Sequence, residues 1–260
     1  WAFSEGADFV ATGHYAQIEN DKLKEGKDKE KDQSYFLWTL ITDNLPHILF
    51  PVGNLEKIEV RRLARTYNLP VSEKKDSQGI CFIGDVSMEE FLSHFISIES
   101  GKVLNTKNEV IGTHKGAVLY TIGERHGFEI TKKKSEDGAS YIVSKNMGTN
   151  TITVSNREPE IISLSPTKIT VKNVNWITEP SGPSLSVRIR YRGEKLPATL
   201  SLAGSRLAVE FKNPVRGLSL GQSVVFYSPD EALPCRQAGL AKAGDSDICL
   251  GGGVMDKVLK

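Results

Sequence analysis

Cysteine is scarce in this chain: three among 260 residues, at 81, 235 and 249. They are odd in number and widely spaced, which excludes a disulfide framework and fits a reducing, cytosolic setting. No C-x-x-C pair is present, and no Cys or His falls at zinc-ligand spacing, so neither a dithiol redox protein nor a structural zinc site is expected. Net charge is also small, +1 from 33 basic and 32 acidic residues. Any polyanion site must therefore be a local patch. No run of 18 apolar residues exists, and nothing in the sequence predicts a membrane span. The opening "WAFSEGADFV" lacks the basic n-region of a signal peptide and lacks an initiator Met. It reads as the end of a helix leading into a strand, so the expectation is a chain that begins inside a longer protein. Internal repeats, a paired-carboxylate signature and G-x-S-x-G are likewise absent.

Apolar content is 39%, enough for real cores. "ADFVATGHYAQIEN" predicts a short buried strand over Phe9 to Thr12, a Gly break and an alternating segment. "DKLKEGKDKEKD" carries both signs and no apolar stripe, as a solvated hairpin tip or loop does. "QSYFLWTL" reads as a helix capped by Asp32. Val60, Leu63, Ala64 and Tyr67 fall at helical spacing, with Asn54 as cap and Pro70 as stop. Beyond Phe95 the texture changes to short β-like runs between turn residues, the pattern of all-β modules. The fold class expected is α/β plus β: an α/β piece over residues 1–95, a small β-rich middle part over 96–164, and a C-terminal β-barrel over 165–260. "GGGV" at Gly251 to Val254 reads as a tight turn in the last strand, and the stretch around Cys235 as a loop insertion before it.

Several residues offer chemistry. Gly13 and His14 follow a strand, where ligands sit in open α/β sheets, and a glycine there admits a flat base or a phosphate. On spacing alone, a plain turn glycine with a locally bonded histidine is the simpler explanation. Lys31 and Gln33 at a helix start suit phosphate or sugar, while Tyr35, Phe36 and Trp38 read as core. Cys81, with Lys74 and Lys75 upstream and Gly79 and Gly84 on either side, is either a reactive thiolate or a small buried hydrophobe. Seven basic residues against two acidic ones lie between Ser186 and Arg216. In "VRIRYRG", Arg188, Arg190 and Arg192 alternate as on one strand face, a row about 14 Å long that suits a phosphate backbone or a solvated barrel wall.

Together, "ATGHYA", "KDQSYFLW", "LFPVGNLEKIEVRRLA", "KKDSQGICFIGD", "IGTHKGAVLYTIGERHGF", "VRIRYRG" and "CLGGGV" resemble, in this order and over nearly the whole chain, the tRNA-specific 2-thiouridylases (tRNA-uridine 2-sulfurtransferases). The resemblance implies an adenine-nucleotide alpha-hydrolase-like α/β domain, here a remnant, then a small central domain and an elongation-factor-like β-barrel. It implies a cytoplasmic tRNA-binding enzyme that replaces O2 of the wobble uridine with sulfur, with no membrane or DNA partner. ATP, with Mg, adenylates the oxygen so that AMP can leave. A sulfur-carrier protein delivers sulfur as a persulfide, and a second cysteine then frees it, leaving a disulfide. By the same resemblance Cys81 bears the persulfide and Gly13 lines the ATP site. The tRNA contacts it implies are His14, Lys31, Asp32, Gln33, Arg190, Tyr191 and Gln222. No metal ligand is implied.

Three departures stand against this pattern. The phosphate loop S-G-G-x-D-S and the attacking cysteine are absent from the chain. Glu124 stands where the family usually shows Gln. The stretch around Cys235 is longer than expected. The first departure predicts a chain that by itself neither exchanges pyrophosphate with ATP nor thiolates tRNA. A non-catalytic RNA-binding β-barrel module is the competing reading.

Overall fold

The computed structural model describes residues 1–74, 86–131, 138–204, 206–229 and 248–259. In chain order the strands begin with β1 (Val10–Ala11), β2 (Ala16–Glu19), β3 (Lys22–Glu25) and β4 (Ile48–Leu49), followed by helices α1 (Lys57–Thr66) and α2 (Met88–Ser93). Then come β5 (Gly101–Leu104), β6 (Val110–His114), β7 (Phe128–Ile130), β8 (Tyr141–Asn146), β9 (Thr151–Ser155) and α3 (Glu158–Leu164). The remainder is β10 (Lys168–Trp176), β11 (Ser184–Arg188), β12 (Leu196–Ala203), β13 (Arg206–Phe211), β14 (Ser223–Tyr227) and β15 (Cys249–Leu259).

One compact unit holds Trp1–Lys74, Lys168–Lys212 and the described residues from Leu220 onward. Its barrel is closed and antiparallel, in the order β10-β13-β12-β11-β14-β15. The N-terminal piece shares the barrel's core: Ala16, Leu23, Tyr35, Leu37 and Leu45 pack with Ile177, Val225, Tyr227 and Cys249. Leu23 and Leu45 are fully buried there, and each contributes about 1.5–3 kcal/mol by leaving water. β1 and β4 pair in parallel. β2 and β3 form a hairpin whose two-residue turn has both Asn20 and Asp21 at positive φ (51° and 56°), the geometry that matches strand twist.

Four sequence expectations change here. The strand expected as buried over Phe9 to Thr12 is only Val10–Ala11, half-buried and exposed, with Phe9 55% exposed. "QSYFLWTL" does not form an α-helix but a single 3-10 turn, Ser34–Phe36. Its side chains are claimed by the barrel: Tyr35 Oη donates to Ser223 O at 2.9 Å and Trp38 Nε1 to Ser223 Oγ at 3.1 Å. Helix α1 starts under a capping box of Glu56 and Glu59, not under Asn54. "GGGV" lies inside β15, not in a turn. A Cβ on Gly252 would stand 2.8 Å from the Trp38 ring. Gly251, at φ +139°, runs against the Asn175 carbonyl beside the β10 bulge. The glycines admit an indole and a neighbouring backbone, so they serve packing.

The other unit comprises the described residues from 86 to Thr167 together with Asn213–Ser219. Its five-stranded sheet runs β7-β6-β5-β9-β8, with β5 and β9 parallel. Val103, Ala117, Tyr120, Ile142, Ile152 and Val154 form the core. Glu124 Oε2 accepts the Thr121 N–H at 2.8 Å, a bond that a glutamine carbonyl accepts equally well. His114 is 4% exposed and meets Tyr120 edge-on at 5.4 Å. Burial lowers its pKa below the usual histidine value. Between that lowered value and about 6.5 the unfolded chain binds more protons than the folded one, so stability falls as pH drops through this window. His114→Gln is expected to flatten that part of the stability–pH curve in thermal melts from pH 7.5 to about pH 5, and an unchanged slope would contradict it.

Candidate functional site

The loop after β1 places Gly13 at the carboxyl end of the parallel pair. Gly13 is exposed, with no heavy atom within 4 Å of where a Cβ would stand. His14 Nδ1 lies 2.8 Å from Thr12 Oγ1, and its ring meets Phe50 edge-on at 6.1 Å. Gln33 is tied to the same stretch twice: its N–H donates to Tyr15 O at 2.8 Å, and its Oε1 accepts from Tyr15 N at 3.0 Å. Gly13, His14, Lys31, Asp32 and Gln33 are therefore neighbours.

Asp32 faces inward and is 3% exposed. Its Oδ1 accepts from Gly26 N at 3.0 Å and Ser34 N at 3.1 Å, and its Oδ2 from Ser34 Oγ at 3.0 Å. Arg188 Nη1 pairs with Oδ2 at 2.7 Å, while Nη2 of the same guanidinium pairs with Glu25 at 2.9 Å. Lys195 and Lys29 both reach Glu25 Oε2 at 3.1 Å. Arg188 and Lys195 also sit over the Tyr227 ring, at 5.1 and 5.2 Å. Burial pushes the Glu25 carboxyl above its ordinary value, with Lys195 and Arg188 opposing. The run "DKLKEGKDKEKD" is thus not wholly solvated: Glu25, 2% exposed, is one of the anchors of a buried ion cluster. Sequence reasoning missed this cluster, because the partners lie more than 150 residues apart in the chain.

The arginine row does not form. Strand pairing of β11 ends with Arg188 opposite Val225, and the chain then turns, with Gly193 N bonded to Arg190 O at 3.0 Å and Arg192 at φ +59°. The basic stretch as a whole is partly neutralised by distant acids, since Arg206 pairs with Asp256 and Arg216 with Glu158. Beyond the strand, Tyr191 packs on the exposed Phe36 at 4.6 Å between ring centres, and the Arg192 guanidinium lies 5.2 Å over Tyr191. Burial drives Tyr35 up to about 12, with the Arg190 charge opposing. Gln222 precedes Ser223, which holds both Tyr35 and Trp38, and the Gln222 Oε1 is buried. The turn Ser34–Phe36 thereby links two groups: Gln33 and its neighbours at its start, and Arg190, Tyr191 and Gln222 toward its end. Phe36, expected in the core, is half exposed at 51%. No sequence signal marks it beyond its place beside Tyr35.

Cys81, the sharpest sequence candidate, lies outside the described residues, as does Cys235. Cys249 is fully buried, and burial pushes its thiol up to about 12. It is a core group. No cluster of three or more His, Cys, Asp or Glu that could hold a metal is found among the described residues. No helix among them is long and apolar enough to cross a membrane.

The described residues fit an adenine nucleotide only in part. Gly13 leaves room for a flat base, but no glycine-rich loop opens onto a helix start among them. The α1 N-terminus is already satisfied by Glu56 and by Asp28, whose Oδ2 accepts Lys57 N at 2.9 Å. A triphosphate finds no cradle here, so no phosphate-handling step is assigned to these residues.

Three family models match the chain in succession. A tRNA methyl transferase HUP domain covers residues 1–85, a tRNA methyl transferase PRC-barrel domain 89–156, and an aminomethyltransferase beta-barrel domain 166–235. The class defined is a HUP-domain protein followed by two β-rich domains. Among curated relatives, the chain is 41% identical over 246 residues to tRNA-specific 2-thiouridylase MnmA 2 of Aliarcobacter butzleri, covering 89% of the chain and 67% of that protein. It is 36% identical over 267 residues to MnmA 1 of Geobacillus kaustophilus (100% and 67%) and 37% identical over 266 residues to MnmA of Shewanella baltica (98% and 66%). The chain belongs to the tRNA-specific 2-thiouridylase family and spans about two thirds of the length of these relatives.

Proposed function

We propose that the chain is the tRNA-binding and sulfur-bearing part of a tRNA-uridine 2-sulfurtransferase. The match of nearly the whole chain to proteins named tRNA-specific 2-thiouridylase carries this reading. The geometry supports it. Lys31, Gln33 and His14 gather at one end of the Ser34–Phe36 turn and Arg190, Tyr191 and Gln222 toward the other. Cations and polar groups there suit the phosphate and sugar of an RNA, and the exposed aromatics suit an unstacked base. Asp32 holds this turn by its buried bonds, leaving Lys31 and Gln33 as the groups on either side of it. Gly13 borders the base of the nucleotide, ATP with its Mg in the reaction proposed.

Cys81 takes sulfur from a carrier protein as a persulfide. A second cysteine thiol then attacks Cys81 Sγ, the S–S bond to the outer sulfur breaks, and that sulfur leaves as sulfide with the bonding pair. The two cysteines end as a disulfide, having supplied the two electrons that reduce the sulfur. The sulfide displaces the activated oxygen at C2 of the uridine. Incubating the chain with a 35S-persulfide donor, ATP and an unmodified tRNA tests the assignment. The expected result is tRNA binding and thiol-releasable label on the protein, without AMP or 2-thiouridine. A chain that takes neither tRNA nor label refutes the reading, and 2-thiouridine above a no-protein control would show that the nucleotide site has been misplaced.

A further inference from the structure

A second feature of the N-terminal piece extends past the site above and shares only Lys31 with it. The loop from Lys27 to Lys31 and the first turns of α1 line an open groove of about 530 Å³. Five cations line it: Lys27, Lys29 and Lys31 on the loop, Lys57 and Arg61 on the helix. Three carboxylates line it too, Asp28, Glu30 and Glu56, but two of them are turned to backbone. Asp28 Oδ1 accepts from Glu30 N at 3.1 Å and Lys31 N at 3.2 Å, and its Oδ2 takes Lys57 N at 2.9 Å. Glu56 caps its own helix. The loop is fixed as well as charged. Lys27 N donates to Gly53 O at 2.9 Å, and a Cβ on Gly26 would strike the Tyr15 carbonyl at 2.7 Å. The lysine side chains stay accessible: Lys27 and Lys29 are 50% and 54% exposed, Lys27 paired with the exposed Glu59 at 3.6 Å and Lys29 with the buried Glu25 at 3.1 Å. The Lys27–Glu59 pair, exposed on both sides, contributes about 0–1 kcal/mol, so a phosphate competes with it readily; Glu25 is buried, but it keeps Arg188 and Lys195 when Lys29 turns to a phosphate. The helix N-terminus adds little, because its amides are already bonded; the cations make the site.

We propose that this groove is a phosphate track for the RNA backbone, continuing from Lys31 along α1, with Lys27 and Lys29 on one wall and Lys57 and Arg61 on the other. It rests on the reading that the chain binds tRNA. The loop backbone is fixed before binding, so only side chains remain to be ordered. The track carries no base readout; it sets the register of the RNA past Gln33 and His14.

The test is tRNA binding by the full chain across a salt series. Wild type is compared with Lys27→Ala/Lys29→Ala, with Lys27→Arg/Lys29→Arg, and with Lys102→Ala/Lys107→Ala, which removes the same charge from an exposed strand and turn elsewhere. The groove pair is expected to weaken binding and to make the slope of log K against log salt shallower by about 1.4–1.8. The arginine pair keeps the wild-type slope, and the distant pair changes it little. Equal slopes for wild type and the groove pair overturn the track while leaving tRNA binding intact. Equal losses from the groove and distant pairs also overturn it, as an effect of bulk charge. A wild-type chain that does not bind tRNA at all removes the parent reading, and the track with it.

Discussion

Arg188→Met is expected to cost about 3–5 kcal/mol of folding stability, the usual result of removing one partner from a buried ion pair. For a domain of ordinary stability, about 5–15 kcal/mol, this is a large share of the whole. The reason is geometric. Among the described residues, Arg188 is the group that reaches both Glu25 and Asp32, at 2.9 and 2.7 Å. Glu25 keeps Lys195 and Lys29 when Arg188 is gone, whereas Asp32 is left with amide and hydroxyl donors alone. A methionine fills the volume but leaves a buried carboxylate without its counter-charge. Urea unfolding of both proteins measures the effect as a lower midpoint. Acidification should shrink it. Burial already raises Glu25, and losing a cation raises it further. Where a carboxyl's folded pKa lies above its unfolded value, the folded state binds more protons between the two, so stability rises as pH falls through that window. The gap between variant and wild type is therefore expected to be smaller near pH 5 than at pH 7.5. Arg188→Lys, which keeps the charge but cannot bridge both carboxylates, should fall between the two. A loss below about 1 kcal/mol would mean that the cluster is solvated and that Asp32 is held by its amide donors alone.

The same cluster shows where sequence reading ran out. Alternation and turn chemistry made the barrel strands legible, and the apolar spacing of Val60, Leu63 and Ala64 made α1 legible, because these signals are local. "QSYFLWTL" misled because its composition fits a helix, while its conformation is decided by Ser223 and Tyr227, some 190 residues on. The three arginines of "VRIRYRG" misled for the same reason: two-residue spacing describes a strand face only as far as the strand pairs, and pairing stops at Arg188. The place of Gly13 and His14 after a strand was legible, whereas a role in a site came for them only from the family resemblance. Lys31 and Gln33 came from a helix start that the structure replaces with the 3-10 turn. What no local pattern could reveal is that Asp32 faces inward, since its counter-charge comes from the barrel.

Replacing Cys81 is expected to have the largest functional effect. Sulfur uptake from a persulfide donor requires a thiolate, and the three cysteines differ sharply in what they offer. Cys249 is buried in the barrel core beside Tyr227, with its thiol pushed up to about 12. At pH 7.5 such a thiol stays protonated, and burial denies it access to a donor. Cys249→Ala should therefore leave labelling intact in whatever protein folds. Cys81 stands in the glycine-flanked stretch "DSQGICFIG", whose likeness to the family motif carries the assignment. Exposing each variant to the 35S-persulfide donor and counting protein-bound, thiol-releasable label separates them. Cys81→Ser is expected to fall to background, a loss of at least about twentyfold, because a serine hydroxyl forms no persulfide. Cys235→Ser should retain most of the label. Cys81→Ser that still carries label, or a loss that instead follows Cys235→Ser, would move the sulfur-bearing role away from Cys81 and with it the match of "DSQGICFIG" to its proposed chemistry.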